Sequence, residues 1–360
     1  MIECLRELDR GQFTPHVIQL RPGPLQGLLE EIGVRVHVLA SHRMRQVHRV
    51  AASILAIRRI VRRNGIQLIH SNGFRAHVYG GLAALISSVP EVWTTHTVEV
   101  PTGSSRMIAR IPTRHVLTNC PRTDDAFRRL GFPTTMIWPG VNAGHLEALA
   151  QSIPRGLLAR RHGIPDGCRW ITVGARLQRY KGHTEFLTAL ASLPRDLKVH
   201  GIILGGTLFN QESDYRIELE RNVAALGLED RVTFTGYVPD AEFAGFLAAS
   251  TVVVHPALDE DFGLTVAEAQ ALGVPVIAFD AVGPSAIIEA GETGWLVPIG
   301  DVAGLSAALC EALSPGDTLA IMGPAARGRA RALFGSKTHA EQTGAIYRRF
   351  IQDRPNCRPT

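Results

Sequence analysis

Short apolar runs alternate with helix-period segments along the whole chain, the pattern of βαβ units and parallel sheets. In the first half, residues 16–20, 34–39, 68–70, 91–95, 115–118 and 135–137 read as strands, with helices such as 46–63, 78–87 and 122–130 between them. In the second half, strands are predicted at 170–173, 200–204, 232–235, 251–255, 274–278 and 294–297, separated by helices including 182–192, 215–226, 241–248, 264–272 and 302–313. At roughly 100–200 residues per domain, a chain of 360 residues accommodates two such sets, each with its own core. The predicted organisation is an α/β protein of two Rossmann-like domains, residues 1–145 and 146–335, with the break in the Pro-, Gly- and polar-rich stretch between Pro139 and Gly167. A terminal helix is expected within 336–360.

A doubly wound domain opens with a central strand, a Gly-rich turn and a helix whose N-terminus faces phosphate. This chain instead begins inside a predicted helix, Ile2–Arg10, and goes straight to what would be the second strand. The first domain is therefore expected to lack its first strand, leaving neighbouring edges unpaired or covered, through either a late-placed start or a shortened domain. The five cysteines, Cys4, Cys120, Cys168, Cys310 and Cys357, are odd in number and show no C-x-x-C spacing, which argues against a disulfide framework or zinc site. Arg6, Asp9 and Arg10 precede any apolar run, unlike a signal peptide. The longest apolar runs, such as Val78–Ile86 and Leu247–Val254, fall far short of the ~18 residues of a membrane span. A net charge of +5 suits phosphorylated ligands, nucleic acid and acidic lipid equally.

The strongest local signal is HPALDEDFGLTVAEAQALGVPVIA, residues 255–278. A strand ends at His255, a loop carries Glu260, Gly263 leads into a helix bearing Glu268, and Gly273 closes that helix. The two carboxylates can border one cleft as acceptors from sugar or ribose hydroxyls. The helix N-terminus at Phe262–Leu264 suits a phosphate. The stretch VGARLQRYKG, residues 173–182, places Arg176 and Lys181 on a strand-to-helix loop, where two cations can reach one diphosphate. Either cation alone reads as well as a solvated surface residue.

With these motifs the sequence resembles the retaining glycosyltransferases of family 4, which have two Rossmann-like domains facing a cleft, the GT-B fold. The family's Gly-x-Arg-Leu…Lys-Gly loop is matched by Gly174, Arg176, Leu177, Lys181 and Gly182. Its Glu-x7-Glu signature is matched by Glu260, Phe262, Gly263, Leu264, Glu268, Ala269, Gly273, Pro275 and Val276. The resemblance implies that Arg176 and Lys181 bind and stabilise the leaving diphosphate, that Glu268 holds ribose hydroxyls, and that Glu260 holds the transferred sugar. Phe234-Thr235-Gly236, followed by Tyr237, would lie near the base, and His96 would face the reaction centre. His96 taken alone reads as readily as a strand-end histidine satisfied by backbone; His70 and Asn72 are weaker candidates of the same kind. The helix within 336–360 would return to the first domain. The sequence departs from the family at the absent Gly-rich first loop, and at Ala286 where a Glu is frequent.

The implied activity is transfer of a sugar from a nucleotide-sugar donor to a glycan or lipid-linked acceptor with retention of configuration, without cofactor or metal and without nucleic acid as partner. Asp259-Glu260-Asp261 formally spells the D-x-D metal signature of another glycosyltransferase fold, but here lies inside the Glu-x7-Glu context. A donor-binding subunit that has lost catalysis, a nucleotide-sugar epimerase and a phosphorylase are the rival readings. Lys337, the one lysine near the C-terminus, lies in no recognisable setting for a phosphorylase's pyridoxal phosphate. Arg43, Arg45, Arg49, Arg58, Arg59, Arg62 and Arg63, with His42 and His48, crowd region 42–63. That region reads as an ordinary packed surface helix, or as a basic helix lying on acidic lipid. The expected location is the cytoplasm, with any membrane contact peripheral and through that region.

Overall fold

The computed structural model describes residues 1–23, 25–42, 45–96, 109–207 and 213–352. Arg43 and Cys357 lie outside the described residues. The chain divides into two compact units, the first comprising 1–140 with 336–360 and the second comprising 141–335.

In the first unit a short helix, Ile2–Glu7, ends two residues before Asp9, sooner than the predicted Arg10, because Leu8 is already extended. Asp9 then accepts from the Gly11 N–H at 2.8 Å. Six strands follow: β1 His16–Gln19, β2 Arg35–Val38, β3 Ile69–Asn72, β4 Glu91–Thr94, β5 His115–Thr118 and β6 Thr134–Met136. All pair in parallel, in two pieces: β1 pairs only with β2, and β3-β4-β5-β6 form a separate sheet. Among the described residues β1 and β3 each have an edge without a strand partner, although both pack under the helices Val47–Arg63 and Phe74–Ser87 through Ile18, Leu20 and Ile69. Within the basic region a helix runs Val47–Arg63, burying Val50, Ile54, Ile57 and Val61. The last helix, Ser336–Gln352, belongs to this unit and lays Ile346 and Phe350 against Val92, Leu117 and Ile137.

The second unit opens with the helices Ala143–Gln151 and Arg155–His162, in the stretch expected to be a linker. Asn142 caps the first by accepting from the His145 N–H at 3.0 Å, and Gly163, at φ +66°, ends the second. Both pack on the helix Asp240–Ala249. The sheet has six parallel strands: β7 Arg169–Gly174, β8 Val199–Leu204, β9 Val232–Gly236, β10 Val252–His255, β11 Val276–Phe279 and β12 Gly294–Val297. β8, β10 and β11 are buried along their whole length, as befits near-continuous apolar runs covered on both faces. The spatial order is β12-β11-β10-β7-β8-β9. The order reverses between β10 and β7, and ligands of open α/β sheets bind beyond the strands' carboxyl ends at such a point. The loops after β7 and β10 are the two that flank it. Two further helices, Val282–Ile287 and Thr318–Phe334, were not expected from the sequence.

Candidate functional site

The loop leaving β7 is held by close backbone approaches. Gly174 has no room for a side chain, since a Cβ would stand 2.8 Å from Thr265 Cγ2. The Thr265 hydroxyl donates to the Gly174 carbonyl at 2.9 Å, tying this loop to the start of the helix Leu264–Ala271. Gly182, at φ +73°, sits on the Pro256 carbonyl, where a Cβ would fall 1.7 Å from the oxygen. Gly205 presses on Ala175 in the same way, with 2.2 Å left between a Cβ and the Ala175 oxygen. Gly205 N–H donates to the Gly236 carbonyl at 3.0 Å, and Leu177 N–H to the Gly206 carbonyl at 3.1 Å. The loops after β7, β8 and β9 are thus knitted into one floor.

On that floor the structure brings Lys181 and Glu260 together. Lys181 closes a 3-10 turn, Arg179–Lys181, and its Nζ donates to Glu260 Oε2 at 2.7 Å. His255, the last residue of β10, places Nε2 3.0 Å from the same oxygen. Burial pushes the Glu260 carboxyl up, but the hydrogen bond and charge of His255 and Lys181 overrule it and hold it at about 2. Glu260 is a fixed anion at neutral pH. Its carbonyl accepts from Gly283 N–H at 2.9 Å, and Gly283 touches Phe262 so closely that a Cβ would meet its carbonyl at 2.3 Å. Gly263, at φ +88°, caps the helix Leu264–Ala271, while Leu264 itself is half exposed.

Glu268 lies in the second turn of that helix and behaves oppositely. Burial, then the charge of Asp240, pushes its carboxyl up to about 7. Arg176 is exposed, and its carbonyl accepts from the Gln178 N–H at 2.8 Å. Tyr237 is 61% exposed and lays its ring over Gly206. Among the described residues no group of three or more His, Cys, Asp or Glu side chains is arranged to hold a metal ion, Asp259 and Asp261 included.

His96 belongs to the first unit and hydrogen-bonds Asn72 through Nε2. Burial lowers its pKa, as it does that of His70, which falls to about 4. His70 was expected to end a strand but is the second residue of β3, which runs on to Asn72. It bridges the Thr94 hydroxyl at 2.6 Å and the Tyr347 hydroxyl at 2.5 Å, and burial favours the neutral imidazole in both histidines. The sequence reading passed over His255, Thr265 and Gly283. His255 carried one signal, a polar residue ending an otherwise apolar strand five positions before Glu260.

The family model described as Glycosyl transferases group 1 matches residues 155–329, and the one described as Glycosyltransferase Family 4 matches residues 1–145. A D-inositol 3-phosphate glycosyltransferase of Streptomyces scabiei is 28% identical over 79% of this chain and 68% of its own length. A lipopolysaccharide core biosynthesis mannosyltransferase, LpcC, of Rhizobium leguminosarum bv. viciae is 30% identical over 62% of each chain. Among solved structures, Anabaena HepE in complex with UDP is 25% identical with TM-score 0.80, covering 97% of this chain and 96% of that one. A glycosyltransferase from Rickettsia africae reaches TM-score 0.84 at 17% identity, covering 98% and 94%. The strand order, the knitted loops and two models that span nearly the whole sequence lead to one assignment: the chain belongs to the family 4 glycosyltransferases of GT-B fold.

Proposed function

We propose that this protein transfers a sugar from a nucleotide-sugar donor to a glycan or lipid-linked acceptor with retention of configuration. The observation that carries this reading is the meeting of Lys181 and Glu260 at the sheet's switch point. The exposed Arg176 lies on the same loop as Lys181, and the loop of Glu260 leads into the helix Leu264–Ala271. In this reading the two cations take the donor diphosphate and stabilise the charge it gains on leaving, which is electrostatic catalysis by preorganised donors. Glu260 receives sugar hydroxyls and Glu268 ribose hydroxyls, with Gly236 and Tyr237 at the base. His96, in the first unit, keeps the catalytic role that the family resemblance gives it. Side-chain cations fill the role a divalent ion plays elsewhere, so the reaction needs no metal.

The relative named for lipopolysaccharide core biosynthesis supports an acceptor of glycan or lipid-linked type, whereas the one named for D-inositol 3-phosphate supports a small phosphorylated acceptor. No described helix is long and apolar enough to cross a membrane. The exposed Arg49, Arg59, Arg62 and Arg63 support peripheral contact with acidic lipid. Flotation with acidic against neutral vesicles tests that contact, and equal recovery from both removes it.

The central test is turnover of a donor panel by the full chain. Arg176→Ala and Lys181→Ala each lower it by roughly 100- to 1000-fold with the fold intact, and activity persists in EDTA. Near-normal turnover in both variants overturns the diphosphate assignment, and loss in EDTA restored by Mg²⁺ overturns the metal-free one. A chain that binds donor yet never turns over is the catalytically impaired subunit. Anomeric analysis of the product reads retention directly.

A further inference from the structure

Glu260 Oε2 is shared between two partners of unequal mobility. Lys181 Nζ reaches it at 2.7 Å from a single 3-10 turn, on a flexible four-carbon stem. His255 Nε2 reaches it at 3.0 Å from the end of a buried strand, where His255 is paired in register with Ala278. The Glu260 backbone is itself tied down by Gly283. Exposure of the side chains follows the same order: 12% for Lys181 and 4% for His255, with Glu260 at 15%. A diphosphate that recruits the Lys181 ammonium competes with Glu260 for it. A carboxylate this buried, stripped of its cation, is costly unless another donor stays with it. His183, at the start of the helix His183–Ala191, is close enough to feel the charge of His255, and burial keeps it neutral with a pKa of about 4.

We propose that His255 is a positioning residue for donor binding: it holds Glu260 in place and hydrogen-bonded while Lys181 passes from Glu260 to the diphosphate. Lys181 moves and His255 stays. Glu260 then plays two parts, a brake on Lys181 before the diphosphate arrives and an oriented acceptor for the sugar afterwards. The proposal rests on the reading of Lys181 as a diphosphate ligand.

The test is calorimetric titration of the full chain with UDP and with GDP, which carry the diphosphate without the sugar. Glu260→Gln frees Lys181 and tightens the nucleotide by roughly five- to tenfold. His255→Leu weakens it by a similar factor, because Lys181 can then leave only a bare carboxylate. His255→Gln, which keeps an N–H donor, restores most of the affinity. In the Glu260→Gln background, His255→Leu has no further effect. Should His255→Leu fail to melt cooperatively, His255→Asn, whose amide is too short to reach Oε2, serves the same comparison.

Equal weakening by His255→Leu in both backgrounds, or no weakening in either, overturns the proposal. A purely structural role would lower the melting temperature without this dependence on Glu260. A wild-type chain that binds neither nucleotide overturns the donor assignment itself, an outcome distinct from nucleotide binding that ignores His255.

Discussion

The second unit runs six parallel strands neighbour to neighbour, and its strand-end loops are fastened by backbone hydrogen bonds and by glycines pressed onto carbonyls. The first unit has the same number of described strands, divided between a pair and a group of four. Its candidate histidines are held by side chains, in a relay from Thr94 to His70 to Tyr347, with Asn72 holding His96. A site built from backbone tolerates no added atom, because neither partner in the contact can rotate away. One built from side chains loses a single bond at a time.

Gly182→Ala tests the backbone-built side most severely. Both Gly182 and Gly33 adopt φ near +72°, yet Gly182 meets the Pro256 carbonyl and Gly33 meets open space. Gly33→Ala should cost only the left-handed strain, roughly 1–2 kcal/mol. Gly182→Ala must also displace the Lys181 turn, so turnover should fall more than about 100-fold, as misplacement by an ångström can. Thermal melting and donor turnover of the two variants, side by side, check this. Equal effects would mean that the loop gives way easily.

The next effect concerns the two carboxylates of the second unit, which sit eight positions apart and are shifted in opposite directions. The folded pKa of Glu268 is raised from 4.5 to about 7, so the fold favours its protonated form and loses stability as pH climbs through that window. Glu268→Gln removes that loss. Urea denaturation should show the variant and the parent alike near pH 4, with the variant gaining up to about 3 kcal/mol by pH 8. Glu260 runs the other way, its contribution fading only as pH falls from 4.5 toward about 2. A Glu268→Gln chain without gain at pH 8 would show that water or a partner already relieves the buried carboxyl.

The smallest effect belongs to the side-chain relay. Tyr347→Phe removes one hydrogen bond to His70, worth about 1 kcal/mol. Its urea midpoint should drop slightly while nucleotide binding by the second unit stays unchanged. A loss beyond about 3 kcal/mol would place the relay on a par with the glycine contacts.

Much of the second unit was legible because its chemistry follows strand ends, and strand ends follow from alternating apolar runs. Gly174 ends β7, and Arg176, Lys181 and Glu260 fall on the loops where that alternation puts them. The Lys181–Glu260 pair itself was not legible, since it joins positions 79 apart and depends on β10 lying beside β7. Glu268 looked like Glu260 in sequence; only the packing around it separates an anion from a near-neutral acid. The helix Thr318–Phe334 escaped because Pro324 lies inside it, which ordinarily argues against a helix. The helices between Ala143 and His162 escaped because Pro154 and Gly163 look like linker residues, whereas they start and stop a helix.

Val141 and Gly335 form an isolated parallel bridge, and Val141 N–H donates to the Phe334 carbonyl at 2.7 Å. The second unit therefore enters and leaves through one doorway, as a cassette inserted into the first. Such a cassette can be exchanged between relatives at two adjacent cuts without opening its own sheet. The first unit has no such freedom, because its final helix is encoded after the insertion. A nonsense codon just past Gly335 would spare every residue of the inserted cassette and strip the host of the helix that carries Tyr347 to His70.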